Sequence, residues 1–240
     1  MTAAESVDIR RAADRGVTTT DWLDSKHSFS FGDYYDPANT HFGLLLVNND
    51  DRVRPAAGFD THPHRDMEIV TWVLEGALAH QDSMGNSGVV YPGLAQRMSA
   101  GSGVLHSEKN ESASEPVHFI QMWVIPDESG ITPEYQQREV TLTGGLDTIA
   151  SGRSDDAAIT IHNRDAALHG ARLQAGDSVD LPEAPYLHLF VPRGEVTLEG
   201  AGTLYEGDAV RFTASGGQRV TAAKPAQILV WEMHAGFAPA

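Results

Sequence analysis

Two short segments carry the residue types that hold metal ions. The first is Thr61-His62-Pro63-His64. Side chains alternate faces along a strand, so residues two apart point the same way. His62 and His64 therefore project together. Pro63 has no N–H to give to a ladder, which calls for an edge or strand-entry position. The second segment is Leu105-His106-Ser107-Glu108, where the same period sets His106 and Glu108 on one face. If the two strands are neighbours in a barrel, three imidazoles and one carboxylate converge. That donor set suits a first-row transition metal, with Fe, Mn, Ni, Co, Cu and Zn all compatible. In an octahedral site it would leave two positions for water, O2 or a chelating substrate.

A lone His-x-His in a β-protein is more often structural than metal-binding. The second pair and the surrounding glycines shift the balance here. Gly101 and Gly103, ahead of His106, imply a tight turn that returns this strand to the barrel, and Gly76 marks the turn after the first. Glu68 follows His64 by four residues and shares its face under strict alternation. It competes with Glu108 as the carboxylate ligand, or would accept an imidazole N–H behind the metal. His80 and Asp82 read as an exposed turn flank. Gln121 and Trp123 share a strand face and could line a cavity, although core packing suits Trp123 better. His188 lacks a His-x-His partner and reads as a satisfied core histidine.

These side chains need strands to position them. The chain's 23 Gly and 12 Pro are spread along its length, between short runs rich in Val, Ile, Leu, Thr and aromatics. Such spacing predicts an all-β sandwich or barrel. Strands are expected over residues 42–47, 68–74, 88–91 and 117–125, the first stopped by a polar loop, Asn48-Asn49-Asp50-Asp51. The second half repeats this grammar. Leu187-His188-Leu189-Phe190-Val191 running into Arg193-Gly194-Glu195 parallels Thr71-Trp72-Val73-Leu74 running into Glu75-Gly76. The repeat predicts two related barrels with a boundary near residues 133–143.

Composition narrows the function classes. Among 240 residues, 17 Lys+Arg face 33 Asp+Glu, a formal charge of −16, which argues against direct nucleic-acid binding. There is no cysteine, so disulfides, thiolate metal sites and Cys nucleophiles are excluded. The first residues lack the apolar core of a signal peptide, and no run is long and apolar enough for a membrane span. A cytoplasmic monomer is expected. Walker A, His-Glu-x-x-His and Gly-x-Ser-x-Gly motifs are all missing, and no βαβ pattern accompanies Gly101-x-Gly103. ATP, NAD and serine-hydrolase chemistry are disfavoured.

The motifs resemble a known family. Gly58-Phe59-Asp60-Thr61-His62-Pro63-His64-Arg65-Asp66-Met67-Glu68 is similar to the first cupin motif of the pirin family, within the cupin superfamily. Met98-Ser99-Ala100-Gly101-Ser102-Gly103-Val104-Leu105-His106-Ser107-Glu108 resembles its second. His27-Ser28-Phe29-Ser30-Phe31-Gly32-Asp33-Tyr34-Tyr35-Asp36-Pro37, Gln121-Met122-Trp123-Val124-Ile125-Pro126 and Pro133-Glu134-Tyr135 fit as well, and the likeness is to the bacterial, YhhW-type members.

The resemblance implies a bicupin, two germin-like β-barrels packed face to face. Residues 1–136 would form the metal-binding cupin and 137–240 a cupin without metal. Family ligands fall on His62, His64, His106 and Glu108, which implies that Glu108 rather than Glu68 completes the set. The repeat puts Asp180, Pro182, Arg211 and Thr213 at the corresponding places of the second barrel, with no histidine set. The implied cofactor is one divalent ion, Fe(II) first, with Mn, Ni, Co, Cu or Zn as alternatives. The implied activity is a quercetin 2,3-dioxygenase type of reaction. O2 opens the central ring of a flavonol, carbon monoxide leaves, and Glu108 acts as catalytic base. Other members imply an alternative, a non-enzymatic iron- and redox-sensing regulator acting through protein partners.

Overall fold

Strands form here in the two ways that burial allows. A strand with one wet face alternates, as Val104–Asn110 does, whereas a strand covered on both faces is continuously apolar, as Glu68–Glu75 nearly is. The computed structural model describes residues 5–237. Its first half runs β1 (Ser6–Arg10), β2 (Gly16–Thr19), β3 (Leu23–His27), β4 (Leu45–Val53), β5 (Gly58–His64), β6 (Glu68–Glu75), β7 (Leu78–Asp82), β8 (Ser87–Val90), β9 (Leu94–Ser99), β10 (Val104–Asn110), β11 (Val117–Val124) and β12 (Glu134–Glu139). The second half runs β13 (Asp147–Ser151), β14 (Ile159–Thr160), β15 (Ala166–Leu173), β16 (Ser178–Asp180), β17 (Glu183–Arg193), β18 (Glu195–Leu198), β19 (Gly202–Tyr205), β20 (Ala209–Gly216), β21 (Arg219–Ala222) and β22 (Ala226–Met233). One 3-10 turn, Ala12–Asp14, is the only helical element among the described residues, and none of these could cross a membrane as a helix.

Each half builds a seven-stranded and a four-stranded sheet. The first pair is ordered β12-β9-β6-β11-β4-β3-β2 and β5-β10-β7-β8; the second is β1-β20-β17-β22-β15-β13-β14 and β16-β21-β18-β19. The orders correspond strand for strand except at one edge of the large sheets, where β2 pairs with β3 antiparallel but β14 pairs with β13 parallel, so the expected repeat extends to most of the topology. Leu23, Val53, Val73, Leu78, Val90, Val117 and Phe119 fill the first barrel between its sheets. The outer faces of the two large sheets meet through Val70, Trp72, Ile120 and Met122 against Leu168, Phe190, Leu229 and Trp231. Each such side chain taken fully out of water contributes about 1.5–3 kcal/mol before entropy is counted. The fold is the expected bicupin.

One strand, β1, crosses to the other half's sheet. β1 pairs with β20 of the second large sheet, and β12 pairs with β9 of the first. Sheet pairing therefore cuts across the expected division at 136/137, which falls inside β12.

Two sequence expectations need correction. The polar run Asn48-Asn49-Asp50-Asp51 is the middle of β4, not a loop, and pairs with β3 on one side and β11 on the other. Alternation continues through it: Leu45, Val47, Asn49, Asp51 and Val53 are all buried. In the second barrel, Arg211 and Thr213 lie on β20, the counterpart of β9. The counterparts of the histidine strands are β16 and β21, whose buried residues are Val179, Val220 and Ala222. Apolar packing thus fills the space where the first barrel places its histidines.

Candidate metal centre

β5 is an edge strand bonded only to β10, which is where Pro63 is tolerated. The register sets His62 directly opposite His106, and a β-bulge follows between His106 and Glu108. The approach to β10 depends on Gly101, at φ +45°, where an added Cβ would lie 2.1 Å from the Ile131 carbonyl oxygen. Nitrogens of His62, His64 and His106 lie within 4.8 Å of one another. His62 Nδ1 donates to the Asp60 carbonyl at 2.8 Å, which leaves the Nε2 lone pair free to ligate. That Nε2 sits 3.1 Å from His106 Nε2. Two bonds of about 2.1 Å at a right angle hold their nitrogens about 3.0 Å apart, so the pair fits adjacent ligands of one cation.

Electrostatics hold two of these rings, His64 and His106, neutral. Burial, then the neighbouring His62, pushes the His64 pKa down to about 4. Burial, His62, His64 and His80 push His106 down to about 2. The buried Nδ1 of His106 has no hydrogen-bond partner. Two imidazoles held neutral beside a converging nitrogen pair make a good metal site.

Glu108 is 2% exposed, and its Oε2 accepts from Gln121 Nε2 at 2.7 Å. Burial raises its pKa to about 7, against the opposing effect of that hydrogen bond. Its carboxylate groups within 4.8 Å with nitrogens of His106 and His80, so His106 joins the carboxylate to the other two histidines.

Glu68 is elsewhere. It lies on β6 in the large sheet and accepts from Ser99 Oγ at 2.9 Å and from the backbone N–H of His162 at 3.0 Å. The chain leaves the strand at Arg65, and Asp66 has φ +48°, so alternation counted from His64 no longer applies. His80 is 1% exposed rather than a turn flank, because β7 is flanked by β10 and β8. Its Nε2 meets Asp82 Oδ2 at 3.2 Å, and its ring stacks on Tyr135. His188 is buried as expected, but neither ring nitrogen has a partner.

A cavity of about 430 Å³ opens beside the cluster. Trp22, Phe31, Phe59 and Trp123 line it together with His62, His64, Glu108 and Gln121. Trp123 is therefore a cavity wall, edge-on to His64 with centroids 4.8 Å apart, not mere core. Phe59 also lines the cavity, whereas Met98 packs with Ile69, Ala100 and Val104, and Trp72 belongs to the contact between barrels. The size and aromatic lining suit a planar organic ligand.

Sequence reasoning missed the far wall. Ser25 and His27 of β3 and Asn49 and Asp51 of β4 line the same cavity and are all buried. The available signal was a polar pair at inward positions of a strand bounded by Val47 and Val53.

Comparisons with known proteins agree with this geometry. A family model described as Pirin matches residues 8–124, and one described as Quercetinase C-terminal cupin domain matches residues 148–233. Rv0181c of Mycobacterium tuberculosis strain H37Rv is 68% identical over 239 residues, covering 98% of this chain and 97% of that protein. Quercetin 2,3-dioxygenase of Escherichia coli K12 is 43% identical over 193 residues, covering 80% and 84%. The crystal structure of the bacterial pirin YhhW from Escherichia coli in complex with nickel(II) has a TM-score of 0.89 at 36% identity, covering 96% of this chain and all of that one.

Proposed function

The chain belongs to the pirin family, and from that premise we propose that it is a metal-dependent dioxygenase that opens the central ring of a flavonol such as quercetin. The observation that supports it is the His62, His64 and His106 cluster at the edge of an aromatic-lined cavity, with Glu108 linked to it through His106. These four side chains would hold one divalent cation, iron(II) in our reading. When bound, the cation supplies Lewis-acid polarisation of a chelating oxygen.

The chain's own groups do the rest. Glu108, once loosened from the cation, accepts the proton of the flavonol 3-hydroxyl; in the metal-free chain burial raises its pKa to about 7, toward the range where a general base is effective. Gln121 aims that carboxylate by donating to it, and its own Oε1 accepts from Trp123 Nε1 at 3.2 Å. The aromatic wall orients the flat substrate and keeps water from the reacting face. One flavonol and one O2 yield the ring-opened ester and one carbon monoxide. We assign the metal to the first cupin, residues 1–136, and a supporting role to the second, residues 137–240.

Oxygen uptake and carbon monoxide release with quercetin test this reading, measured on protein of known metal content loaded in turn with Fe(II), Ni(II) and Mn(II). Turnover that vanishes in His62→Ala is the expected result. No oxygen uptake with any metal, or turnover that survives loss of the ligand, overturns it.

A further inference from the structure

The wall opposite the histidine cluster carries polar groups that the reaction above does not use. β3 and β4 place them as direct cross-strand pairs, Ser25 opposite Asp51 and His27 opposite Asn49. Of the acceptors among them, the His27 ring nitrogen and the Asn49 carbonyl oxygen are taken within this group or by Thr18. His27 Nδ1 donates to Asn49 Oδ1 at 2.8 Å, and its Nε2 accepts from the Thr18 hydroxyl at 2.8 Å. Ser25 donates its hydroxyl to Asp51 Oδ1.

Asp51 is the exception. A carboxylate offers about four acceptor positions, and Ser25 is the one side chain that donates to this one among the described residues. It is 3% exposed, and the space it borders is the aromatic-lined cavity. A buried acceptor without enough donors is costly, and an occupant of the cavity that brings a hydroxyl relieves that cost.

We propose that Asp51 is a specificity-determining residue, accepting a hydrogen bond from a substrate hydroxyl remote from the metal-chelating edge. The cavity then selects polyhydroxylated aromatic chelators over those whose only hydroxyl is the chelating one. The inference rests on the flavonol reading of the cavity and names the part of that substrate class which the protein recognises. Selection of this kind is strong because rejection of the lesser ligand leaves a buried polar group unpaired.

Trp22 and Trp123 border the same cavity, so ligand binding is read by quenching of tryptophan fluorescence in the Ni(II)-loaded protein under nitrogen, where no O2 is present to turn the ligand over. Quercetin and 3-hydroxyflavone, which lacks every hydroxyl but the chelating one, are titrated into the wild type, Asp51→Asn, Asp51→Ala and Ser25→Ala. Wild type is expected to prefer quercetin by about tenfold, equivalent to about 1.4 kcal/mol. Asp51→Ala should lose that preference by weakening quercetin alone, Asp51→Asn, whose amide oxygen still accepts, should keep part of it, and Ser25→Ala, which keeps the carboxylate, retains it. Equal preference in wild type and Asp51→Ala overturns the proposal, as does no preference in wild type or an equal loss for both ligands. Oxygen uptake by the metal-loaded wild type is recorded in parallel. If uptake is absent while the binding preference holds, the dioxygenase reading fails alone; turnover without preference sinks only the role of Asp51.

Discussion

Two adjacent aspartates on β4 should respond to pH in opposite directions. Asp51 faces the cavity, where burial, assisted by the charges of Asp50, Glu108 and Asp24, raises its pKa from 3.8 to about 7 against the hydrogen bond from Ser25. At about 1.4 kcal/mol per pH unit, that displacement is worth about 4 kcal/mol. The folded chain keeps the proton after the unfolded chain has lost it, so stability falls as pH rises from 3.8 to about 7. Asp51→Asn cannot ionise and escapes this loss. The variant should gain up to about 4 kcal/mol over wild type at pH 8 and almost nothing at pH 4. Asp50 points the other way, with His118 Nε2 at 2.6 Å and Arg15 Nη1 at 3.0 Å. Burial works to raise its pKa, but His118 and Arg15 outweigh it and bring it to about 2. Its contribution is present above 3.8 and is lost as pH falls through about 2. Asp50→Asn should therefore cost about 2 kcal/mol at pH 7 and little near pH 2. Urea unfolding of the metal-free variants across this range, read as differences from wild type, measures both. If Asp51→Asn is neutral or destabilising at pH 8, or its effect is the same at pH 4 and pH 8, the reasoning is refuted.

Further outcomes follow from the site and its supports. His106→Ala removes the ring that joins the other two histidines to Glu108, so elemental analysis should find the metal lost while circular dichroism keeps the β signature. Glu108→Gln preserves shape and the three imidazoles but cannot take up a proton; kcat should fall about 10²–10⁴-fold, with the three histidines still binding metal. In Gly101→Ala the new methyl meets the Ile131 carbonyl at a positive φ, so the melting temperature should drop by an amount matching about 2 kcal/mol or more. Gly85→Ala, with open space around it, should cost about 1 kcal/mol.

Much of the architecture was legible because β-structure is locally coded. Alternation fixed which residues share a face, so His62 with His64 and His106 with Glu108 could be paired from spacing alone. The recurring strand-and-turn grammar revealed the doubled fold, and the glycines at 101 and 103 revealed the turn that returns β10. Alternation fails wherever the chain leaves a strand, and one non-strand stretch after His64 was enough to misplace Glu68. Burial is likewise a property of neighbours. His80 looked like a surface residue until β10 and β8 closed over it, and Asn49 and Asp51 looked like a loop until β3 and β11 flanked them. The crossing of β1 to the second half's sheet has no local signature, since it depends on which edge that half leaves open. The sequence by itself determined which side chains could bind a cation and that strands would carry them. Only the tertiary structure decided which carboxylate joins them and which polar groups face them across the cavity, because pairing between distant strands and the closure of a barrel are set by the whole chain at once.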